Sequence, residues 1–431
     1  MPLTPEGYRP RLLEDKLARY LEAFGAVEVR GPKWCGKTWL SLSRAESVAH
    51  LDDETVRQAV DVNHRLALAG ARPRLIDEWQ EVPELWDAVR REVDASGSAP
   101  GSFILTGSSR PRGKDKVHHS GAGRIARLNM RPLSLFESGL SDGSVSLESL
   151  FAGEDLEGRP ASTNLDELAR SICTGGWPGS LGRSEQAARL ISSQYIDALC
   201  DTTEDTASGR IDPVELRRVL VALARNDATT ASSATLALDA SLDEGDASPA
   251  GQRLGKYLSY LEQSYLLCTL HGWDAPVRAR ARVRTKPKRY LVDPSLSAAL
   301  LGYDPDRLQW DAQMFGILFE SLCLRDIAVY LEASTKLPSP TLWYYRDSYG
   351  LEVDAVVELA DGRWAAFEVK LSSAKADKAA TSLLRLRDKV LANPAARNRE
   401  PAFLAILVGD SPFVYTRDDG VLVVPITYLG R

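Results

Sequence analysis

The feature that most constrains this chain is the eight-residue stretch GPKWCGKT, which runs from Gly31 to Thr38. It lies between the apolar run AVEVR, which predicts a strand, and the run TWLSLSRA, which predicts a helix. In such a loop, successive backbone N–H groups surround a phosphate tail while the helix presents its positive end. We expect the Lys37 ammonium to reach the β- and γ-phosphates and the Thr38 hydroxyl to bind Mg²⁺. The stretch therefore predicts a site for Mg-ATP. The predicted contacts are Gly31, Pro32, Lys33, Trp34, Cys35, Gly36, Lys37, Thr38 and Trp39.

Two further apolar runs, LIDE and ILTGSS, end in polar residues. Carboxyl ends of parallel strands meet at one edge of a sheet, so these residues are expected near the loop. We expect Asp77 to hold the magnesium ion through a bound water, and Glu78 to orient and deprotonate the attacking water. Thr106 or Ser108 is expected to contact the γ-phosphate or that water. A solvated strand end is the alternative for each pair, and the phosphate loop upstream favours the functional interpretation.

An arginine follows the flexible run GKDKVHHSGAG. Arg124 is a candidate for stabilising the transferred charge, either from within the chain or from a neighbouring subunit. An ordinary surface arginine is the alternative.

The length of 431 residues favours two or three domains, since single cores stop growing near roughly 250 residues. Alternating strand and helix patterns over residues 1–140 predict a parallel sheet covered by helices. Residues 141–164 are rich in Ser, Gly, Asp and Glu and predict a connector. Residues 165–303 predict a mainly helical module, and residues 304–431 a C-terminal α/β domain.

Composition excludes several classes of protein. With a formal charge of -6, the chain has no global attraction to nucleic acid, and no apolar run approaches the roughly 20 residues of a membrane helix. The N-terminus lacks a secretory signal, so a cytoplasmic location is expected. Five scattered cysteines without a CxxC pair indicate neither a disulfide framework nor a zinc site.

The run RARARVRTKPKRY is the one strongly basic segment. In a strand, arginines two apart face the same side, so the segment predicts contact with the phosphate backbone of DNA. A charged edge strand that prevents aggregation, a lid, or a surface for a protein partner are the alternatives. The predicted DNA contacts are Arg278, Arg280, Arg282, Arg284, Lys286 and Lys288.

Four charged residues near the C-terminus form a second candidate metal site. Glu320 is expected on a helix, Asp354 on a strand, and Glu368 with Lys370 on the next strand. Carboxylates are the ligands of hard divalent cations, and the lysine would position a hydroxide or a phosphate oxygen. The pattern resembles the PD-(D/E)xK nuclease core. It does not decide between cleavage and a binding or vestigial role, and a solvated strand face is the structural alternative.

The motifs together resemble a prokaryotic group of AAA-type P-loop ATPases with a C-terminal domain of unknown function. The resemblance rests on GPKWCGKT, LIDEWQEVPELW, ILTGSS and GRIARLNMRPLSLFE, then on GGWP, PKRYLVDPSLSAALLG and the final EVD and FEVK runs. It implies an α/β fold: an AAA-type parallel sheet, a winged-helix-like helical module and a C-terminal α/β nuclease-like domain.

Three functions follow from these patterns. The leading one is a Mg-dependent ATPase whose nucleotide state regulates DNA- or protein-binding C-terminal modules. The others are an ATP-regulated, metal-dependent DNA nuclease and a non-hydrolysing ATP switch in a defence or toxin-antitoxin type system. The oligomeric state stays open, since AAA-type domains commonly form rings but a monomer is also compatible with the sequence.

Overall fold

The computed structural model describes residues 2–109, 120–154, 159–160, 164–201, 205–206, 209–242, 249–274, 286–393 and 400–431. In chain order the strands are β1 (Ala26–Arg30), β2 (Ser47–His50), β3 (Arg74–Asp77), β4 (Phe103–Gly107), β5 (Ile125–Asn129), β6 (Val145–Ser146), β7 (Arg159–Pro160), β8 (Asp205–Thr206), β9 (Gly209–Arg210), β10 (Leu267–Leu270), β11 (Lys288–Leu291), β12 (Thr341–Arg346), β13 (Glu352–Glu358), β14 (Trp364–Lys370), β15 (Phe403–Val408), β16 (Phe413–Thr416), β17 (Leu422–Pro425) and β18 (Leu429–Gly430).

The α-helices are, in the same order, α1 (Glu14–Ala23), α2 (Lys37–Leu42), α3 (Glu54–Val62), α4 (Arg65–Leu68), α5 (Leu85–Ala95), α6 (Leu135–Ser138), α7 (Leu147–Ala152), α8 (Leu165–Thr174), α9 (Glu185–Asp201), α10 (Pro213–Arg225), α11 (Ser233–Asp239), α12 (Ala250–Gln263), α13 (Pro294–Leu301), α14 (Pro305–Trp310), α15 (Ala312–Ala333) and α16 (Ala376–Leu391).

The chain divides into two compact units. The first contains Met1–Pro132, Glu204–Ile211 and Leu258–Leu266, and the second contains Leu133–Thr203, Asp212–Tyr257 and Leu267–Arg431. Most of the predicted helical module and all of the predicted C-terminal domain lie in the second unit.

The first unit is built on a five-stranded sheet with the order β2-β3-β4-β1-β5. Every neighbouring pair in it is parallel, which confirms the predicted parallel sheet. All residues of β4 are buried, as expected for a parallel strand covered on both faces by helices. The carboxyl ends of the strands therefore share one edge, where the polar ends of β2, β3 and β4 lie.

Alternate residues of the strands supply two separate cores, one on each face of this sheet. On one face, Ile76 and Leu105 pack with Trp86 and Val89 of α5. On the other face, Val27, Leu75 and Ile104 pack with residues of α1 and α2, among them Leu17 and Leu40. Side chains two residues apart along a strand point to the same face, which explains why alternate residues enter different cores. The loop between β1 and α2 therefore joins two elements that are both packed in a core.

The C-terminal part of the second unit is a seven-stranded mixed sheet with the order β12-β13-β14-β15-β17-β16-β7. Strands β12, β13 and β14 are antiparallel neighbours, whereas β14, β15 and β17 run parallel. Helix α16 contributes Leu383 and Leu386 to the core against one face. Helix α15 is buried along most of its length, in keeping with its largely apolar sequence.

Part of residues 141–164, the segment predicted as a connector, forms a strand and a helix. Strand β6 pairs in parallel with β18, and α7 buries Leu147, Leu150 and Phe151. The ring centroid of Phe151 lies 5.1 Å from that of Phe403. These three apolar residues are spaced so that they lie on one face of α7. Their burial packs this part of the polar segment into the second unit.

The helical part of the second unit carries α8 to α11, α13 and the antiparallel hairpin β10-β11. The GGWP run is fixed to the start of α13: the Gly176 N–H donates to Asp293 Oδ2 at 2.9 Å, and Trp177 Nε1 donates to Ser295 Oγ at 3.0 Å. Arg325 of α15 also donates to Asp293, at 2.8 Å. The predicted wing residues Arg278, Arg280, Arg282 and Arg284 lie outside the described residues.

Within the part of the chain that the structure describes, no helix has both the length and the apolar character needed to cross a membrane.

Candidate functional site

The loop from Gly31 to Thr38 connects the carboxyl end of β1 to α2, as the sequence predicts. Gly36 has a φ of 99°, a left-handed conformation that favours glycine. A Cβ on Gly31 would lie 2.1 Å from the Met130 carbonyl oxygen, so no larger residue fits there. The Lys37 side chain is buried and its Nζ donates to the Pro32 carbonyl at 2.8 Å, which brings the ammonium across the loop.

The remaining predicted contacts of this loop differ in exposure. Pro32 and Cys35 are buried, whereas Lys33 is exposed. The two tryptophans, Trp34 and Trp39, are also exposed, and Trp34 has a φ of 64°.

Arg11, which the sequence reasoning missed, braces this loop. Its Nη1 donates to the Cys35 carbonyl at 2.7 Å, and its Nη2 donates to the Arg131 carbonyl at 2.9 Å. Cys35 itself is fully buried, which raises the pKa of its thiol and keeps it protonated. Nothing in the sequence near Arg11 signals this contact, because its acceptors are backbone groups of distant residues.

Asp77 lies at the carboxyl end of β3 and is the centre of a polar cluster. Its Oδ1 accepts from Thr38 Oγ1 at 3.0 Å and also from Thr106 Oγ1. His50 Nδ1 lies 3.2 Å from Asp77 Oδ2. His50, Asp52 and Asp77 have ligand atoms close enough together to hold a metal ion. His50 was not predicted, although VAHLDD ends at the same sheet edge and was a usable signal.

Glu78 is held by Thr106 of β4, by Ser108 just after β4, and by the nearby Gln80. It has a φ of 55°, and its backbone N–H donates to Thr106 Oγ1 at 3.1 Å. Its Oε2 accepts from Ser108 Oγ at 2.7 Å and from Gln80 Nε2. The structure therefore brings Glu78 and Ser108 together. Gln80 was missed, and only its position two residues after Glu78 pointed to it.

Arg124 lies far from the loop of its own chain. Its carbonyl accepts from the N–H of Ala26, the first residue of β1, so Arg124 is at the amino edge of the sheet. The loop follows the opposite, carboxyl edge. Arg124 Nε instead donates to Asp94 Oδ1 at 2.8 Å. A role of Arg124 on its own phosphate loop does not fit this geometry, because the full length of β1 separates the two.

The second candidate metal site is also assembled, but around ammonium groups. Lys370 Nζ lies 2.5 Å from Glu368 Oε2 and 3.2 Å from Asp354 Oδ2. Lys288 Nζ lies 2.5 Å from Glu320 Oε1. The prediction that Lys288 contacts DNA is wrong, because its side chain is only 1% exposed and is paired with a carboxylate. Lys286 is exposed, and its DNA contact stays a prediction.

Burial dominates the electrostatics of this cluster. It raises the pKa of Glu320 to about 7 and that of Glu368 to about 8, and the nearby Asp354 adds to both shifts. The pKa of Asp354 is lowered: burial opposes this, but Lys288 and Lys370 outweigh it. The pKa values of both lysines are raised, because the carboxylates outweigh the effect of burial on the ammonium groups.

Comparison with known protein families gives a description for three parts of the chain. Residues 24–138 match the family model described as an AAA domain. This part of the chain is therefore similar to AAA domains. The match confirms the predicted AAA-type P-loop domain and supports ATP binding by it. Residues 165–307 and 315–429 match two models described as domains of unknown function, DUF8612 and DUF4143.

No curated protein matches the chain. Among solved structures, the Walker-type ATPase PABY2304 of Pyrococcus abyssi matches at 13% identity with a TM-score of 0.40, covering 70% of this chain and 98% of that one. The Aeropyrum pernix Orc1 protein, solved in complex with DNA, matches at 13% identity with a TM-score of 0.28, covering 69% and 94%. Both TM-scores are low, so neither likeness supports a conclusion about this chain.

Proposed function

We propose that the AAA-type domain is a Mg-dependent ATPase. The observation that carries the proposal is the meeting of three groups beside the phosphate loop: the Thr38 hydroxyl, the Asp77 carboxylate 3.0 Å from it, and the Glu78 carboxylate on the same sheet edge. Hydroxyl and carboxylate oxygens are the ligands that Mg²⁺ prefers, so these residues fit the ion. The glycines of the loop and the buried Lys37 fit a phosphate chain in the same way.

Each residue then has a defined role. Backbone N–H groups of the loop and Lys37 would hold the phosphates, and Thr38 and Asp77 would hold the magnesium ion. The bound ion would supply charge neutralisation on the phosphate oxygens. Glu78 accepts the proton of the attacking water at its carboxylate, and Ser108 and Gln80 hold that carboxylate by donating to Oε2. Thr106 fixes Asp77 and the backbone of Glu78 together.

Steady-state phosphate release and equilibrium ATP binding test this proposal with two variants. We expect Lys37→Ala to lose ATP binding, because the phosphates lose their buried cation. We expect Glu78→Gln to bind ATP and to hydrolyse it roughly 10²–10⁴-fold more slowly, as for the loss of a general base. Glu81→Gln, at an exposed carboxylate three residues further on, is the matched control. Turnover by Glu78→Gln at the wild-type rate would exclude the role of Glu78.

A non-hydrolysing or very slow ATP switch is the second candidate. The position of Arg124 favours it: the arginine is paired with Asp94 at the far edge of the sheet, so the loop of the same chain lacks it. Fast turnover would then need an arginine from another subunit or partner. If the purified protein alone hydrolyses ATP at about 1 per second or faster, within the range of ordinary enzymes, the switch is excluded.

For the second unit we propose a nuclease-like fold over residues 304–431. The order of α15, β12, β13, β14, α16 and β15 supports this, because Asp354, Glu368 and Lys370 lie in one cluster that Glu320 joins through Lys288. We further propose that nucleotide state regulates binding of DNA or a protein by the second unit. For DNA, binding measured by fluorescence anisotropy should weaken steeply with salt, and Lys286→Ala should reduce that dependence.

A further inference from the structure

One lysine of the second unit lies inside the carboxylate cluster of the nuclease-like fold. Lys288, the first residue of β11, has a side chain that is 1% exposed. Its Nζ lies 2.5 Å from Glu320 Oε1, 3.7 Å from Asp354 Oδ1 and 3.9 Å from Glu352 Oε1. A buried ammonium costs several kcal/mol unless it is paired, so these three carboxylates explain how the lysine is buried.

The atoms that face Lys288 are the ones that a metal would use. Glu320 and Asp354 are two of the three carboxylates predicted to bind a divalent cation, and both direct an oxygen at this ammonium. The third, Glu368, is 2.5 Å from Lys370, which also takes the second oxygen of Asp354. Across the residues that the structure describes, the converging set of metal-ligand atoms is His50, Asp52 and Asp77, and not this cluster. The cluster therefore does not fit a metal as it stands.

Lys288 and the carboxylates that were predicted to bind a metal lie in different segments of the chain. Lys288 belongs to the segment that matches DUF8612, whereas Asp354 and Glu368 belong to the segment that matches DUF4143. Tyr344 contacts the start of β11. Its hydroxyl donates to the Lys286 carbonyl just before the strand, and its ring centroid lies 5.7 Å from Lys288 Nζ. The lysine is thus held in place by backbone pairing of β11 with β10 and by contacts to β12.

We propose that the Lys288 ammonium is the resident cation of this cluster and takes the place of the divalent metal that the nuclease-like pattern predicts. The second unit then keeps its buried carboxylates paired without a metal, and it does not cleave DNA by metal-dependent chemistry. The proposal is independent of ATP hydrolysis by the first unit.

Binding of Mn²⁺ without nucleotide tests the wild-type protein. The number of bound Mn²⁺ ions is measured by electron paramagnetic resonance for the wild type and for Asp354→Asn, which leaves His50 and Asp77 unchanged. We expect the same Mn²⁺ binding in both proteins. An ion that the wild type binds and Asp354→Asn does not would overturn the proposal.

Removal of the ammonium tests whether it takes a metal's place. We expect Lys288→Met to melt at a lower temperature than the wild type, to gain one bound Mn²⁺, and to recover part of its melting temperature when Mn²⁺ is added. Lys286→Met, at the exposed lysine two residues earlier, should show none of these changes. A folded Lys288→Met that binds no additional Mn²⁺ contradicts the proposal.

A variant with balanced charge covers the case in which Lys288→Met does not fold. Lys288→Met with Glu320→Gln removes the ammonium together with its nearest carboxylate, and Asp354 and Glu368 remain. We expect Mn²⁺ to raise the melting temperature of this double variant by more than that of the wild type, in which only the site at His50, Asp52 and Asp77 can bind the ion. Equal responses of the two proteins to Mn²⁺ would overturn the proposal.

Discussion

At the scale of single residues, the phosphate loop depends on a side chain that lies outside the motif. Arg11 is buried and donates to backbone carbonyls on both sides, at Cys35 within the loop and at Arg131 after β5. Hydrogen bonds from a charged donor contribute about 1.5–3 kcal/mol each. Arg11 therefore ties the loop to the segment that follows β5.

We expect Arg11→Ala to weaken ATP binding by about tenfold or more, because one such bond is worth at least that factor. Isothermal titration calorimetry with ATP and Mg²⁺ measures the change. Arg9→Ala, at an exposed arginine two residues earlier, is the matched control and should bind like the wild type. Wild-type affinity in Arg11→Ala would show that the loop keeps its shape without this brace.

A second single residue makes the stability of the protein depend on pH in an unusual direction. Asp227 is fully buried, and its carboxylate accepts from the hydroxyls of Ser297 and Ser321. Burial raises its pKa from 3.8 to about 7, and the hydroxyls reduce the shift only in part. Between these two values the folded chain holds a proton that the unfolded chain releases, so unfolding becomes easier as the pH rises.

Asp227→Asn should remove this dependence, because an amide does not titrate. We expect the wild type to lose up to roughly 4 kcal/mol of stability between pH 4 and pH 7 through this group, at about 1.4 kcal/mol per pKa unit. The melting temperature should therefore fall less between pH 4 and pH 7 in Asp227→Asn than in the wild type. Asp306→Asn, at an exposed carboxylate, should follow the wild type. Parallel curves for Asp227→Asn and the wild type would mean that Asp227 is ionised throughout.

At the scale of elements, the GGWP run joins three parts of the second unit. Gly176 donates to Asp293 at the start of α13, and its carbonyl accepts from the Leu133 N–H at 2.6 Å. A Cβ on Gly176 would lie 2.1 Å from the Leu133 carbonyl oxygen. The run is therefore a packing motif, and the resemblance that drew attention to it reflects the fold of this unit.

We expect Gly176→Ala to destabilise the second unit by about 1–3 kcal/mol, the usual cost of forcing extra atoms into a packed core. Gly179→Ala is a close control, since a Cβ there would meet only Ile191 Cδ1 at an ordinary 3.8 Å. Differential scanning calorimetry should show a lower melting temperature for the first variant than for the second. Equal melting temperatures would mean that the backbone of Leu133 moves away at little cost.

Local patterns were predictable from the sequence, and distant partners were not. The phosphate loop and the polar strand ends at Asp77 and Ser108 follow from contiguous residues and from the geometry of a parallel sheet. The bracing role of Arg11 depends on carbonyl groups far along the chain, which no local pattern encodes. Lys288 is a second example. It belongs to a basic run, which predicts an exposed side chain, but the side chain is buried and paired with Glu320 and Asp354 of a distant part of the chain.

At the scale of the whole molecule, nucleotide binding in the first unit and the modules of the second unit are proposed to be linked. A ligand shifts a conformational equilibrium only when it binds the two states with different affinity. For this chain, the states must differ in the second unit for the proposed regulation to exist. Hydrogen exchange reports such a difference directly.

We expect ATP and Mg²⁺ to change amide hydrogen exchange of Glu78→Gln within residues 165–307 or 315–429, in addition to residues 24–138. Mass spectrometry with and without nucleotide measures the change. Lys37→Ala under the same conditions should show no change, because it does not bind ATP. Changes confined to the first unit would contradict regulation of the second unit by nucleotide.

The ionic contacts between the two segments of unknown function also constrain how this gene can be rearranged. Asp293 and Lys288 lie in one segment, and their partners Arg325, Asp354 and Glu352 lie in the other. Recombination that replaced residues 315–429 alone would leave Lys288 and Asp293 buried opposite unmatched side chains. The two segments should therefore be inherited as a single unit.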